Sequence, residues 1–275
     1  MPASDLLPAA NQFIEAVSAV RAVRRKRRLL APIEKKLDAA IAKAFTAQGK
    51  AFMRRLARLK PQFPKLEEAI RDQDWEPLFD EAILQTIKAF VGPIDLFAAA
   101  ALLAGGQQQI AELGVDISFD LENPRAVAFL EEYGAQRVSM INETTRSTIK
   151  SIVTQAVDEG WSYDRTAKAL SDRFGEFAVG RPQQHIDSRA HLVAVTEAAH
   201  AYEAGNRMVV DDLIAAGLTM EIRWLNVGDN RVSEGCRANG AEGWIPATST
   251  FQSGHQHPPR FPGCRCCGLS RRARK

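Results

Sequence analysis

Apolar residues recur at helical spacing through much of the chain, which predicts a mainly helical protein. The clearest stripe lies between residues 37 and 59, where apolar side chains follow one another at steps of three, four or seven residues and so share one helical face. Its members are Leu37, Ile41, Phe45, Phe52, Leu56 and Leu59. Gln48 and Gly49 interrupt the stripe, and we expect a kink or a break there.

Capping residues and glycines predict where further helices begin and end. Asn123-Pro124 and Ser162 are residue types that favour a helix N-terminus. Gly105-Gly106 should break the alanine-rich segment that precedes residue 115, and Gly175 should end the short helix that begins after Ser162. A longer helix is expected from about residue 188 to residue 210, because apolar residues again share one face there.

The period of the pattern changes after Gly217. Apolar and polar residues alternate from Met220 to Trp224, and such alternation predicts a strand. From Asn226 onward the chain is dense in Gly, Pro, Ser and Thr, which indicates short strands and loops. The predicted fold class is therefore mainly α, with a helical body and a small, loop-rich C-terminal unit that contains β-structure.

Charge is distributed unevenly along the 275 residues. Residues 1–60 hold 14 Lys/Arg and 4 Asp/Glu, residues 61–259 hold 16 and 29, and residues 260–275 hold 6 and none. Two basic ends on an acidic body can each contact a polyanion, either nucleic acid or an acidic protein surface. The candidate contacts are Arg24, Arg25, Lys26, Arg27, Arg28, Arg271 and Arg272. The alternative for the basic run at residues 21–28 is a solvated helix face.

The sequence gives no signal for secretion or for a membrane. The first residues do not pair a basic segment with an apolar one. The most apolar stretch, Phe90–Leu103, contains Pro93 and Asp95 and is too short to span a bilayer. We therefore expect a protein that is made in a reducing cytoplasm, where cysteines more often bind metal or stay free than form a disulfide framework.

Separated residues in the last third of the chain follow an order that identifies a family. They are Thr196-Glu197, Tyr202, Gly205, Trp224, Asp229, Arg231, Cys236, Pro258-Pro259 and Cys264-Arg265-Cys266. This order resembles the Mu F-like minor head (head morphogenesis) family of tailed bacteriophages over about residues 115–270. The residues of its structural motif are Glu197, Tyr202, Trp224, Asp229 and Arg231. For Glu197 we expect burial beside an arginine, because a buried carboxylate needs a partner.

The resemblance implies a structural minor head protein of the virion. Such a protein would associate with the portal and act in head morphogenesis, DNA packaging or ejection. It would assemble in the host cytoplasm without membrane contact, and further implied partners are scaffold or major capsid protein and packaged DNA. The expected organisation is a helical N-terminal region with a basic arm (1–115) and a head morphogenesis domain (116–275). In that domain, helices should extend to about residue 217, a β/loop unit should span 218–270, and a basic tail should follow.

The C-terminal cysteines have three interpretations. Cys236, His257, Cys264 and Cys266 could bind a tetrahedral structural zinc ion, which would hold together a unit with little apolar surface to bury. The alternatives are a disulfide from Cys236 to the Cys264–Cys267 run, or free thiols. Cys-x-Cys is a closer spacing than the usual ligand pair. Relatives often carry Cys where Ser233 stands and His where Phe261 stands, so two candidate ligands are replaced here.

Catalytic motifs are missing from the sequence. No Walker A loop, His-Glu-x-x-His, Gly-x-Ser-x-Gly or Rossmann glycine set occurs, so we expect a non-enzymatic protein. One alternative function is a DNA-binding accessory protein, whose affinity would reside in the basic ends and fall steeply with salt. A nuclease or an ADP-ribosyltransferase-like enzyme is a further alternative.

Overall fold

The computed structural model describes residues 3–58, 75–179 and 187–273. In these ranges the helices are α1 (Ala3–Leu56), α2 (Trp75–Leu113), α3 (Pro124–Asp158), α4 (Tyr163–Val179), α5 (Arg189–Ala215) and α6 (Glu234–Ala241). The strands are β1 (Met220–Leu225), β2 (Trp244–Pro246) and β3 (Cys267–Arg272). The predicted mainly α fold with a small C-terminal β-containing unit is confirmed.

The three strands form one antiparallel sheet in the order β2-β1-β3. Ile222 of β1 lies opposite Ile245 on one side and Ser270 on the other. Met220, Ile222 and Trp224 alternate with less buried residues, as expected for a strand that packs one face on a core. The strand predicted from the alternation after Gly217 is therefore confirmed.

Two compact units divide the chain, and neither is a continuous segment. Unit 1 consists of residues 1–34, 97–127 and 195–275, and unit 2 consists of residues 35–96 and 128–194. Long helices contribute residues to both units, so neither unit corresponds to one continuous stretch of sequence. The predicted division at residues 115/116 does not coincide with these units.

Unit 2 has an aromatic core around the predicted apolar stripe of α1. Leu37, Ile41, Phe45, Phe52 and Leu56 are all buried, whereas Leu59 lies outside the described residues. The Phe45 ring centroid lies 5.2 Å from the centroids of both Phe90 and Phe177. Such edge-on and tilted ring pairs add to the stability gained from area burial.

Gly49 does not interrupt α1, contrary to the sequence prediction. The helix runs without a break from Ala3 to Leu56. A Cβ atom at Gly49 would lie 2.7 Å from Cγ of Phe174, so glycine is required by the close packing of this ring. The cost in helix propensity, about 1 kcal/mol relative to alanine, is offset by that packing.

Unit 1 contains a close helix crossing that depends on Gly105 of α2 and Gly205 of α5. A Cβ atom at Gly105 would lie 1.9 Å from the carbonyl oxygen of Tyr202, and one at Gly205 would lie 2.1 Å from that of Leu102. A Cβ atom at Gly106 would lie 2.3 Å from the Phe119 ring. The prediction that Gly105-Gly106 breaks the helix is wrong, because α2 is continuous through both residues. Gly105 lets α2 approach α5, and Gly106 leaves room for the Phe119 ring.

Most of the predicted helix starts are confirmed by capping hydrogen bonds. The Asn123 side chain accepts from the N–H of Arg125 at 2.9 Å, and Ser162 accepts from the N–H of Arg165 at 3.3 Å. Ser188 caps α5 by accepting from the N–H of His191 at 3.0 Å. Gly175 does not end α4, which continues to Val179. A single glycine on an exposed helix face lowers helix propensity but does not stop the helix.

Among the described helices, α2 is long and apolar enough to cross a membrane by length and composition alone. It has 39 residues, and its most apolar 18-residue window has a mean hydropathy of 1.8 and is 28% buried. The stretch Phe90–Leu103 is part of this longer helix, and the expectation of no membrane contact stays a prediction. Core helices of soluble proteins meet the same criteria, so this finding is weak evidence for a membrane span.

Candidate functional site: a cysteine cluster and a buried ion pair

Three cysteine sulfurs converge in the C-terminal segment of unit 1. Cys236 lies in the first turn of α6, and Cys264 and Cys266 lie in the loop that leads into β3. Their Sγ atoms all lie within 4.8 Å of one another, and those of Cys236 and Cys264 are 3.8 Å apart. All three side chains are buried. We call these three residues the cysteine cluster.

Local hydrogen bonds explain why the cysteines of the cluster meet. Ser233 caps α6 and accepts from the N–H of Cys236 at 3.3 Å, which orients the first turn of this helix. A turn between Phe261 and Cys264 is closed by the Cys264 N–H, which donates to the Phe261 carbonyl at 3.0 Å. Gly263 in this turn has φ of 80°, a conformation that favours glycine. Its N–H donates to the Thr196 hydroxyl of α5 at 3.0 Å.

The three thiols differ in electrostatics because they share hydrogen bonds. Hydrogen bonds from Cys264 and then from Cys266 lower the pKa of Cys236, and Ser233 and Arg260 act in the same direction. The hydrogen bond with Cys236 raises the pKa of Cys264, and bonds with Cys236 and Cys264 raise that of Cys266. The first thiolate to form in the cluster is therefore that of Cys236.

The structure brings together three of the four predicted zinc ligands. His257 is not in that group: its Nδ1 lies 2.6 Å from the carbonyl oxygen of Pro258, and its side chain lines a cavity with Glu203 and Ser270. Cys267 also lies outside the cluster and packs instead against Ala22 and Leu225. Burial raises the pKa of Cys267 well above its ordinary value.

A buried ion pair lies next to the cysteine loop. Lys26 of α1 donates to Glu203 of α5 at 2.6 Å and to the carbonyl oxygen of Cys266 at 2.7 Å. The other carboxylate oxygen of Glu203 accepts from the N–H of Gly268 at 3.2 Å. Burial opposes the charge on Lys26, but Glu203 together with the nearby Cys267 and Cys264 outweighs it, and the pKa of Lys26 is raised. The pair thus joins α1, α5 and the start of β3.

A second set of ion pairs joins α1 to the sheet. Arg271 of β3 donates to Glu221 of β1 at 2.8 Å and to Glu15 of α1 at 3.1 Å. Arg223 lies 3.5 Å from the other oxygen of Glu15, and the Arg271 guanidinium stacks 4.0 Å from the Trp244 ring centroid. The N-terminal part of α1 is therefore attached to the C-terminal sheet at two places.

The motif residues of the resemblance have structural positions in unit 1. Glu197, Tyr202 and Trp224 are buried, and Trp224 packs edge-on against Phe251 with ring centroids 5.3 Å apart. Burial, followed by the nearby Glu203 charge, raises the pKa of Tyr202. Asp229 accepts two hydrogen bonds of 2.8 Å from the Arg265 guanidinium, which is the main cause of its lowered pKa.

Arg231 and Glu197 complete the set of motif residues. The Arg231 side chain is exposed, and its N–H donates to Asp229 at 3.1 Å, which orders the turn after β1. The burial expected for Glu197 is confirmed, and its pairing with an arginine stays a prediction.

The predicted polyanion contacts fall into two groups. Arg24, Arg27, Arg28 and Arg272 are exposed and stay candidates. The prediction for Lys26 is wrong, because its side chain is buried and bound to Glu203. Arg25 lies 3.4 Å from Glu112, and Arg271 is held by two carboxylates, so both are partly engaged within the protein.

Glu203 is the important residue that sequence reasoning missed. It shares a buried face of α5 with Ala199, Asn206 and Val210, residues that lie three, four or seven positions away. The spacing of Glu203 places it on the same helix face as these buried residues. The sequence therefore indicates a buried carboxylate here, and a buried carboxylate needs a partner. Its partner, Lys26, lies 177 positions away, and no local pattern indicates that pairing.

The cysteine cluster, its supporting turn and Glu203 lie inside a segment that matches a known family. Residues 147–268 match the model of the family described as Phage Mu protein F like protein. Over these residues, the chain is similar to the Mu F-like family. The match covers less than half of the chain, and no curated protein and no solved structure matches it. The similarity to this family indicates a phage head-related protein.

Ser233 and Phe261, the two positions at which the resemblance implies further candidate ligands, have other contacts in this structure. The Ser233 hydroxyl caps α6. The Arg260 guanidinium lies 5.3 Å from the Phe261 ring centroid. The hydroxyl oxygen of Ser233 lies beside Cys236, so the cysteine cluster has a polar oxygen next to it at this position.

Proposed function

We propose that this chain is a structural minor head protein of a tailed phage that associates with the portal. The observation that carries the proposal is the Mu F-like match over residues 147–268. The chain would act in head morphogenesis, DNA packaging or ejection, as a component of the virion that assembles in the host cytoplasm. Its partners would be the portal protein and, in addition, scaffold or major capsid protein.

A structural role rather than catalysis is supported by how the buried charges are used. Glu203 is bound by Lys26, by the Gly268 N–H and, at 3.4 Å, by the Asn206 amide. A carboxylate held this way joins helices and strands, because both of its oxygens are bound by groups of the protein itself. We therefore propose that the protein acts by binding partners.

Contact with DNA is the second candidate function, and the exposed arginines of α1 favour it. Arg24, Arg27 and Arg28 project from the same two turns of the helix and are exposed. Guanidinium groups on a rigid helix can neutralise phosphates without reading bases. Packaged DNA or an acidic face of the portal would suit this surface.

Genetic removal tests the proposal in the infecting phage. A phage that lacks the gene should produce heads that are empty or fail to eject DNA, and the chain supplied from a plasmid should restore plaque formation. Co-purification of the supplied chain with tagged portal protein should accompany the rescue. Normal titre and normal heads without the gene would contradict a role in head assembly.

A further inference from the structure

The cysteine cluster has the geometry of a metal site. Two thiolates bound to a tetrahedral zinc ion at about 2.3 Å each lie about 3.8 Å apart. The sulfurs of Cys236 and Cys264 lie 3.8 Å apart, and Cys266 completes a group within 4.8 Å. A disulfide would need sulfurs about 2.05 Å apart. Three buried sulfurs converge here without a covalent bond between them.

We propose that Cys236, Cys264 and Cys266 bind one structural zinc ion as thiolates, with an oxygen donor at the Ser233 corner. The site is independent of the head role proposed above. As zinc binds, each thiol releases its proton to solvent and forms one S–Zn bond, so three protons leave for each ion bound. Zinc is redox-inactive, and no oxidant or reductant is involved.

The fourth corner is not a cysteine or a histidine among the described residues. Cys267 packs on Ala22 and Leu225, and His257 lies outside the group. Ser233 is the N-cap of α6, three residues before Cys236, and its oxygen contacts the Cys236 N–H. A residue three positions before a cysteine is the usual place for its ligand partner, so this hydroxyl, or a water bound to it, is the expected donor.

Charge and neighbouring groups suit a zinc ion with three thiolates. The ion and three thiolates carry a net charge of −1, and the guanidinium of Arg260 lies close by: a Cβ atom at Gly235, next to Cys236, would lie 2.8 Å from its Cζ. A buried metal site needs such outer partners. The ion would join α6 to the loop before β3, across 28 positions of chain.

The metal content of the purified full chain tests the proposal. The protein should be expressed without chelator, purified under reducing conditions and analysed by elemental mass spectrometry and native mass spectrometry. We expect close to one zinc per chain. Replacing zinc by Co²⁺ should give the visible bands of a tetrahedral thiolate site.

Matched cysteine variants separate the cluster from other thiols. C236S, C264S and C266S should each lower zinc affinity by at least tenfold in a competition with a chromophoric chelator. C267S is the control, because it removes an equally buried thiol outside the cluster, and it should keep its zinc. S233C supplies a fourth sulfur and should slow zinc loss to the chelator by tenfold or more.

Several outcomes would overturn the proposal. One is a reduced wild-type chain that contains no zinc and binds none when zinc is added. A second is a Cys236–Cys264 disulfide in protein isolated without oxidant. A third is equal zinc affinity in C236S and the wild type, which would show binding elsewhere. If single variants fail to fold, the metal content and cobalt spectrum of the wild type still decide. An unchanged rate in S233C would refute the assignment of the fourth corner.

Discussion

Lys26 is a buried lysine whose charge is matched by a single carboxylate. Its Nζ atom lies 2.6 Å from Glu203, and both side chains are almost fully inaccessible to solvent. Removing one partner of such a pair leaves a buried charge without compensation, which costs far more than the pair contributes as a whole. A substitution at only one of these two residues should therefore lower the free energy of unfolding more than replacement of the whole pair.

Replacing Lys26 by alanine should lower the free energy of unfolding by about 3–5 kcal/mol, because Glu203 would be left buried without its counter-ion. Urea denaturation measures the change. Arg27→Ala is the control, since Arg27 is the exposed neighbour of Lys26, and its effect should stay within about 0.5 kcal/mol. Equal effects of the two substitutions would contradict the ion pair.

Glu34 gives a prediction with a defined pH dependence. Burial raises the pKa of this carboxyl to about 7, although Lys26 and Arg27 oppose the shift. The folded protein then binds the proton more tightly than the unfolded chain, so stability is lost as pH rises from about 4.5 to 7. Glu34→Gln should raise stability at pH 8 by up to about 3 kcal/mol and change it little at pH 4.

Chemical denaturation at the two pH values tests this prediction. Glu131→Gln is the control, because Glu131 is an exposed carboxyl on α3, and it should show no such pH dependence. A Glu34→Gln protein that is equally stabilised, or destabilised, at both pH values would contradict the pKa shift.

Residue roles were predictable from the sequence where they depend on neighbours along the chain. The Asn123 and Ser162 caps are of this kind, because the capping atom and the N–H it binds are two or three residues apart. The basic run at residues 21–28 shows the limit. Its residues look equivalent in sequence, and only the position of Glu203, far away in the chain, decides that Lys26 is buried.

Glycines have different roles in the helices of this protein according to what lies beside them. Gly105 of α2 faces the backbone of α5, and a Cβ atom there would lie 1.9 Å from the Tyr202 carbonyl oxygen. Gly175 lies on an exposed face of α4, and a Cβ atom at that position would meet nothing within 4 Å apart from its chain neighbours. One glycine is required by contact, and the other only lowers helix propensity.

Alanine at these two positions should therefore have opposite effects. Gly105→Ala should destabilise the protein by about 3 kcal/mol or more, the upper end of overpacking costs, because helix backbones must separate. Gly175→Ala should stabilise it by about 0.5–1 kcal/mol. Thermal unfolding followed by circular dichroism measures both. If Gly105→Ala were neutral, the helix crossing would be wrong.

The sequence could not separate these two roles, since a glycine that breaks a helix and one that permits a crossing look alike. The apolar stripe of α1 was predictable because helical spacing alone determines its face. The cysteine cluster was predictable only in part. Its three sulfurs stand in the sequence, but their convergence depends on the turn at residues 261–264 and on Thr196 of α5.

At the scale of the whole molecule, the chain combines a Mu F-like region with helical segments that the family match does not cover. The first part of α1 belongs to the same compact unit as the end of the chain, and Lys26 and Glu15 supply its charged contacts. The basic run at residues 21–28 and the basic C-terminal residues therefore lie in one unit. The sequence does not predict that these two segments share a unit, because only tertiary contacts bring them together.

The exposed arginines of α1 give a prediction for the intact protein. Changing Arg24, Arg27 and Arg28 together to alanine should weaken DNA binding and reduce the slope of log K against log salt by about 2.7, or roughly 0.9 for each lost phosphate contact. Fluorescence anisotropy over a range of salt concentrations measures the slope. The control changes three exposed arginines elsewhere, Arg125, Arg165 and Arg173, and an equal loss there would contradict a specific basic surface.

The central claim is that the chain is a portal-associated component of the phage head. Quantitative mass spectrometry of purified procapsids and mature virions, calibrated against the portal protein, tests it most directly. We expect a small and reproducible number of copies for each portal ring in both particles. Absence of the chain from both particles would contradict a virion role.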